Sequence, residues 1–335
     1  MLSITRRDGG SVRVAESAMV AGKVVPPRAP ARRRGLVSAS VRELTAVAAR
    51  GWPAVETEAL GSWTLRASAE TAEPVAPAER APRADGERGG VGGAGGGERA
   101  AFTTRANSLL PLGDPGLPVR EAIARTVRWY EARGLAPLVQ LVPGGEGESR
   151  EDGERALLAD ELERSGWTAE RHAVMQVAPL APLADRAPDP RVRLSRDLDA
   201  GWSALYRRAG QLPDVARKVL TGGPSVWFAT VPREAVAAPG QPPEGDTRPA
   251  AIGRCVVDGR WAGFAALEVA PEWRRRGLAT AVLSELARRA LEEGASAAYL
   301  QVEAGNAGAR ALYGGLGFTD HHTYHYRRAP QGGSV

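Results

Sequence analysis

Apolar residues recur every four positions at Leu278, Val282, Leu286 and Ala290. That spacing lines one face of a helix over about 277–292, and Gly294 can end it. Strands are predicted on either side. Segments 251–257 and 261–269 are rich in β-branched and small apolar residues and are joined by Asp258-Gly259, a strong hairpin turn. A strand at 297–303, a short helix at 307–316 and a final strand pair from Phe318 to Arg327 follow the helix. Upstream, a strand at 191–195, helices near 198–208 and 213–220 and a strand at 225–231 lead into a Pro/Gly-rich loop over 237–249.

The preceding region shows part of the same order. Thr104–Pro111 reads as extended. Pro118–Arg133 reads as a helix with Ile123, Val127 and Tyr130 on one face. Pro137–Val142 reads as a strand and Arg155–Arg164 as a helix, and Gly166-Trp167 opens a last strand. Gly116 lies 24 residues before Gln140, and Gly277 lies 24 residues before Gln301. Gly166-Trp167 then takes the part of Gly317-Phe318, which predicts a worn internal duplication.

Two α/β domains are therefore expected, over 36–182 and 191–328, parted at Ala187-Pro188-Asp189-Pro190. The first carries an insert at 68–100 that is too poor in apolar residues to fold and is expected to be disordered. Residues 1–30 hold a hairpin pattern with a turn at Asp8-Gly9 and are too few for a core of their own.

Composition narrows the function. The 335 residues include 43% hydrophobic ones, enough for packed cores. No apolar run approaches the ~18 residues needed to span a bilayer, and the first residues lack the apolar stretch of a signal peptide. Cys255 is the only cysteine, so an internal disulfide framework and a cysteine zinc site are excluded. These features predict a cytoplasmic protein without membrane partners. The net charge is +5, and every basic residue except Lys23 and Lys218 is arginine. The arginines are scattered among 39 acids, which argues against general nucleic-acid binding.

One dense basic cluster remains. Leu267-Glu268-Val269-Ala270-Pro271-Glu272-Trp273-Arg274-Arg275-Arg276-Gly277-Leu278-Ala279-Thr280 places a strand end, a turn and a helix start in succession. The first turn of a helix has unpaired N–H groups and a positive dipole end, which suit a pyrophosphate. Gly277 permits close backbone approach, Ala279 keeps the path clear, and Arg274, Arg275 and Arg276 add charge.

The Arg-x-x-Gly-x-Ala element resembles the acetyl-CoA signature of the GNAT superfamily of N-acetyltransferases. A second element, Leu300-Gln301-Val302-Glu303-Ala304-Gly305-Asn306-Ala307-Gly308-Ala309-Arg310-Ala311-Leu312-Tyr313-Gly314-Gly315-Leu316-Gly317-Phe318, stands at the spacing that superfamily shows. The resemblance covers 191–328 in full and 36–182 as a degenerate half. The whole chain is similar to actinobacterial proteins described as histone-acetyltransferase-like, in which an SH3-like barrel precedes the GNAT part. Residues 1–30 would be its remnant.

The resemblance implies an α/β GNAT fold: a mixed, mostly antiparallel sheet flanked by helices, with a catalytic C-terminal domain after the degenerate one. It implies an acetyl-CoA-dependent N-acetyltransferase, with acetyl-CoA as co-substrate and a primary amine as acceptor. Protein lysine, a free amino acid and a small amine all remain open. The alternative is a non-catalytic acyl-CoA-binding sensor or adaptor. Arg274, Arg275, Arg276, Gly277, Leu278, Ala279 and Thr280 would hold the pyrophosphate, and the backbone of Leu267 and Val269 the pantetheine. Tyr313 would protonate the departing thiolate. Glu268 and Glu303, on the two strands that splay in this fold, are the base candidates, each equally open to a structural role. Asn306 suits the N-cap of helix 307–316 and would lie near the cofactor. In the first half the matching loop, Leu112-Gly113-Asp114-Pro115-Gly116, lacks arginine and carries an acid, so no coenzyme is expected there. Both signatures fall within 191–328, so that segment alone is expected to bind acetyl-CoA.

His321, His322 and His325 lie in the last strand, where alternation would put 321 and 325 on one face and 322 on the other. They are expected to line the acceptor pocket, and no metal is expected. His172 is expected on the surface, Cys255 in the core, and Trp202, Trp227 and Trp261 in the core or a pocket wall.

Overall fold

A computed structural model describes residues 2–5, 11–14, 37–69, 101–143, 150–206, 212–236 and 248–330. The chain divides into two compact units, Met1–Leu36 and Val37–Val335. In the first, β1 (Leu2–Thr5) and β2 (Ser11–Val14) pair antiparallel with Leu2 opposite Val14. The expected hairpin is present, while its turn and the rest of the 1–30 segment lie outside the described residues. So do nearly all of the insert expected over 68–100 and most of the 237–249 loop. At the insert's base Ala69 bridges Ala101, so the chain leaves and returns at one place.

The second unit opens with α1 (Val41–Gly51), β3 (Glu56–Leu60) and β4 (Trp63–Ala67). It continues with β5 (Leu110–Pro111), α2 (Val119–Glu131), β6 (Leu138–Leu141), α3 (Arg150–Arg164) and β7 (Thr168–Pro179). After α4 (Ala181–Ala184) come β8 (Arg193–Ser195), α5 (Ala200–Leu205), α6 (Asp214–Thr221) and β9 (Ser225–Val231). The hairpin β10 (Ala251–Asp258) and β11 (Trp261–Val269), α7 (Leu278–Glu292), β12 (Ala297–Glu303), α8 (Ala307–Gly315) and β13 (Thr319–Arg328) complete it. Two expectations are corrected. Thr104–Pro111 is not extended throughout: Thr104–Ala106 forms a 3₁₀ turn and only Leu110–Pro111 is strand. The end of the chain is one long strand, not a strand pair.

Eight strands form one sheet in the order β6-β13-β7-β12-β11-β10-β9-β8, and β3-β4-β5 form a second. The expected duplication explains the centre of the large sheet. β7 and β13 are duplicates that pair antiparallel, and their outer neighbours β6 and β12 are duplicates too. The order β6-β13-β7-β12 thus reads alike from either end. Each half lacks a closing strand and takes it from the other: β7 fills the gap between β12 and β13, and β13 that between β6 and β7. The segment Ala187–Pro190 is therefore a connection on the surface of a continuous sheet.

Strand alternation sorts the side chains into two layers. Cys255, Phe264, Ala298 and Leu300 face α7, whose Leu278, Val282, Leu283 and Leu286 cover them. On the other face α1 sets Leu44 and Val47 against Trp261 and Tyr299, while α5 and α6 set Trp202, Val219 and Leu220 against Phe228, Ile252 and Val256. Gly263 has to be glycine, since a Cβ there would come within 2.3 Å of the Tyr299 ring and hydroxyl. Arg254, 1% exposed, ties the helices to the sheet: its guanidinium donates to the carbonyls of Leu220 (2.6 Å), Gly51 (2.8 Å) and Gly222 (2.6 Å).

The shared strands revise the expectation for residues 191–328 alone. That fragment leaves both β12 and β13 without β7, exposing two strand edges on buried segments. It should be largely unfolded or aggregated by circular dichroism and gel filtration. The chain from Val37 onward should fold. A well-dispersed, monomeric 191–328 fragment would show that the β7 pairing is dispensable.

Candidate active site

β11 and β12 run parallel, and their register holds from Trp261↔Ala297 to Phe264↔Leu300. Beyond those residues the ladder ends, and the gap between Ala265–Val269 and Gln301–Glu303 forms the candidate cleft. A β-bulge stands at the parting. Ile252 pairs with Glu268 and Arg254 with Ala265, so Ala266 and Leu267 together oppose Gly253. Ala266 has φ 51°, a left-handed conformation that costs an L-residue about 1–2 kcal/mol. Such strain persists where surrounding packing enforces it. Here Trp202 Nε1 donates to the Gly253 carbonyl at 3.1 Å, and a Cβ on Gly253 would meet Val282 Cγ1 at 2.5 Å.

The bulge decides which way β11 points. Ala265 and Ala266 both pack on the α5/α6 layer, and Leu267 and Val269 return to the α7 layer. Glu268, opposite Ile252, then shares the α5/α6 face. Without the extra residue it would point at α7. Glu303 shares a face with Tyr299 by alternation along β12, so the two base candidates flank the cleft on one side of the sheet. Glu268 is half-buried and Glu303 exposed.

The basic turn takes the shape the sequence predicts. A 3₁₀ turn over Pro271–Trp273 leads to Arg274, whose Nε donates to the Val269 carbonyl at 3.2 Å. Arg275 (φ 63°) and Gly277 (φ 77°) are both left-handed, which arrays successive N–H groups around a concavity. Arg276 lies over the Trp273 ring at 4.7 Å. Gly277 caps α7 with no side-chain hydrogen bond, and a Cβ there would meet nothing within 4 Å. The first turn of a 15-residue helix, Leu278, Ala279 and Thr280 included, is thus left for a ligand. These residues fit a pyrophosphate, and the cleft beside them fits an extended thiol arm.

Asn306 caps α8 as expected, its Oδ1 accepting from Ala309 N at 3.0 Å. The Tyr313 ring packs on the α7-side core and edge-on to Phe318 at 5.9 Å. Burial raises the pKa of its hydroxyl, so the phenol keeps its proton. Phe318 N donates to Tyr313 O at 3.0 Å, and Trp167 N donates to Leu162 O at 2.9 Å. The same backbone bond thus closes both halves at matching positions, and the first half has Leu162 where the second has Tyr313.

The first half also keeps the parting strands. Leu109 bridges Val139 in parallel, then β5 and β6 diverge around a cavity of about 190 Å³ lined by Val41, Trp63, Leu112, Leu141 and Leu158. Its loop is closed on itself: Asp114 Oδ1 accepts from Gly116 N at 2.7 Å, and Asp114 O accepts from Ser62 N at 2.7 Å.

The histidines depart from simple alternation. Asp320 opposes Gln176 and His322 opposes Met175, so His321 is an extra residue in β13. That bulge puts His321 and His322 side by side, Nδ1 to Nδ1 at 2.7 Å, and His321 Nε2 lies 3.0 Å from the Ala39 carbonyl. Burial, with His321 and Arg155 nearby, pushes the His322 pKa down to about 4. His325 instead stacks on the exposed His172 at 5.2 Å, so the three do not line one pocket. Cys255 is buried, as are Trp202 and Trp261, while Trp227 is half-buried between Arg196 and Arg289. Among the described residues no group of three or more His, Cys, Asp or Glu could hold a metal ion, and no helix is long and apolar enough to cross a membrane.

The parted parallel strands, the bulge between them and the uncapped helix after an Arg-x-x-Gly-x-Ala turn define a GNAT acetyltransferase fold, present in two copies. Within that class the sequence profile described as "Probable histone acetyltransferase Rv0428c C-terminal" matches residues 96–327, and the chain belongs to this family. Among solved structures it is similar to a GCN5-related N-acetyltransferase from Kribbella flavida: TM-score 0.52, 14% identity, covering 87% of this chain and 96% of that one. It is also similar to a tandem GNAT protein from the clavulanic acid biosynthesis pathway: TM-score 0.52, 17% identity, 68% of this chain and 76% of that one. At such identities the likeness is one of fold. No curated protein matches the sequence. The SH3-like origin expected for residues 1–30 finds no support in these comparisons.

Proposed function

We propose that this protein is an acetyl-CoA-dependent N-acetyltransferase acting on a primary amine, with the chemistry in its second half. The observation that carries the reading is the open N-terminus of α7, set beside the cleft that Ala266 and Leu267 hold open. Acetyl-CoA would supply the activated acyl group. Arg274, Arg275, Arg276 and the amides from Gly277 to Thr280 would bind its phosphates. The edges of Leu267 and Val269 would hold the pantetheine, although the Val269 carbonyl already accepts from Arg274. Backbone N–H groups at the bulge, outside the β10 register, are placed to stabilise charge on the reacting carbonyl.

The acceptor approaches from the α5/α6 face. A lysine-like amine has pKa ~10.4, so freeing it at pH 7 costs about 4–5 kcal/mol. Glu268 faces that side half-buried at the bulge, whereas Glu303 is exposed, and Glu268 is the better-placed base candidate. Tyr313, protonated and packed, is the acid for the thiolate. The first half has neither the arginines nor the tyrosine, and its role is to complete the sheet and wall the acceptor site.

Thiol release from acetyl-CoA over a panel of amines, with calorimetry on the same preparation, tests this. Micromolar-range binding and amine-dependent release are expected. Binding without release for any amine would point to an acyl-CoA sensor, and no binding to the folded chain would remove the cofactor assignment.

A further inference from the structure

Two guanidinium groups line one cavity at the seam between the halves, and among the described residues neither has a carboxylate partner. Arg66 on β4 is 4% exposed; it donates to Ser108 O (2.9 Å), Ser108 Oγ (2.8 Å) and Gln140 Oε1 (2.9 Å). Arg105 donates to Gln301 Oε1 at 2.7 Å and lies over the Trp52 ring at 4.5 Å. All these acceptors are neutral. Together the arginines, Gln140, Gln301, Thr45 and Trp52 line a cavity of about 10 Å³, room for one water-sized group. Buried charge is costly unless it is paired. The Thr45 hydroxyl on the cavity wall is 3% exposed and also has no hydrogen-bond partner. The site is thus short of an acceptor oxygen carrying negative charge.

Its place gives the source. Gln301 is the residue after Leu300, where β11 and β12 part, and it faces α1 like Tyr299. The cavity therefore lies on the same face of the sheet as Glu268 and Glu303. Gln140 and Gln301 are duplicates by sequence spacing, so the cavity sits where the two halves present equivalent residues to each other.

We propose that Arg66 and Arg105 form a carboxylate hook, and that the acceptor is an amine that also bears a carboxylate. The inference rests on the acetyltransferase reading for the amine, and on the unpaired guanidinium groups for the carboxylate. The hook orients the amine toward the cleft, with one carboxylate oxygen in the cavity and the other at its mouth. Charge-assisted hydrogen bonds of this kind set a carboxylate substrate apart from its neutral analogue by about ten- to a hundred-fold.

The experiment measures kcat/KM for glycine, β-alanine, 4-aminobutanoate and 6-aminohexanoate, each beside its carboxamide. At least one acid should exceed its amide about ten-fold or more, mainly through KM. In Arg105→Gln that ratio should fall toward one, and Arg105→Lys should recover part of it. Arg105 is half-buried, so both variants should fold, which circular dichroism checks. Equal rates for every acid and amide, or a ratio unchanged in Arg105→Gln, would overturn the hook. A second readout needs no turnover: butanoate should raise the melting temperature of the wild type more than butanamide does, and not that of Arg105→Gln. If no amine is acetylated but this shift is seen, the acetyltransferase reading fails and the hook stands. If no acid–amide difference is seen in either measurement, the hook fails.

Discussion

Replacing Tyr313 by Phe should lower kcat by about 10² to 10⁴, the usual worth of a general acid, and leave folding and acetyl-CoA affinity nearly unchanged. The ring is the part that packs, against Phe318 and the α7-side core, and Phe preserves it. The hydroxyl has little to do in the ground state. Its hydrogen bond strengthens only as the thiolate forms, so the loss appears in kcat. Burial keeps the phenol protonated well above neutral pH, as a proton donor requires. Measuring kcat and the acetyl-CoA dissociation constant on one folded variant separates the outcomes. A rate within a few-fold of wild type would leave Tyr313 with a packing role only. Weak cofactor binding with normal kcat would mean that the hydroxyl holds the pantetheine instead.

Gly277→Glu should abolish detectable acetyl-CoA binding by calorimetry while the protein remains folded. Two effects add. The left-handed φ of 77° costs an L-residue about 1–2 kcal/mol. The larger effect is electrostatic. Space around the position is open, so the new carboxylate is free to fold over the first turn of α7 and take the N–H groups that a pyrophosphate needs. It also adds a like charge at the phosphate site. Gly277→Ala is the control: it carries the backbone cost without the carboxylate and should bind measurably, more weakly than wild type. Wild-type affinity in Gly277→Glu would move the phosphate site away from this turn.

The two halves keep one architecture and differ in the residues set at corresponding positions. The first half retains parting strands, a cavity between them and the Gly166-Trp167 turn. Yet Leu162 stands where the second half has Tyr313, and the Asp114 side chain takes the Gly116 amide within the loop. On the reading proposed above, its contribution is structural and, through Arg66 and Arg105, electrostatic.

Much of the second half was legible along the chain. The four-residue repeat from Leu278 to Ala290, the Asp258-Gly259 hairpin and the glycine after three arginines are local features, governed by periodicity, turn chemistry and helix-end electrostatics. The N-cap role of Asn306 and the pairing of Gln140 with Gln301 by spacing follow from the sequence too. Tertiary structure alone decided the rest. Which half lends a strand to which depends on contacts between segments more than a hundred residues apart, and no local pattern encodes them. The bulges at Ala266 and His321 each add one residue to a period of two, which reverses every side chain beyond them. Alternation read from sequence could therefore separate Glu268 from Leu267, but not say which layer either would face. The meeting of Arg66 and Arg105 likewise exists only once β4, the 3₁₀ turn and β12 are packed together, because charge without a partner is a property of an enclosed site and not of a sequence.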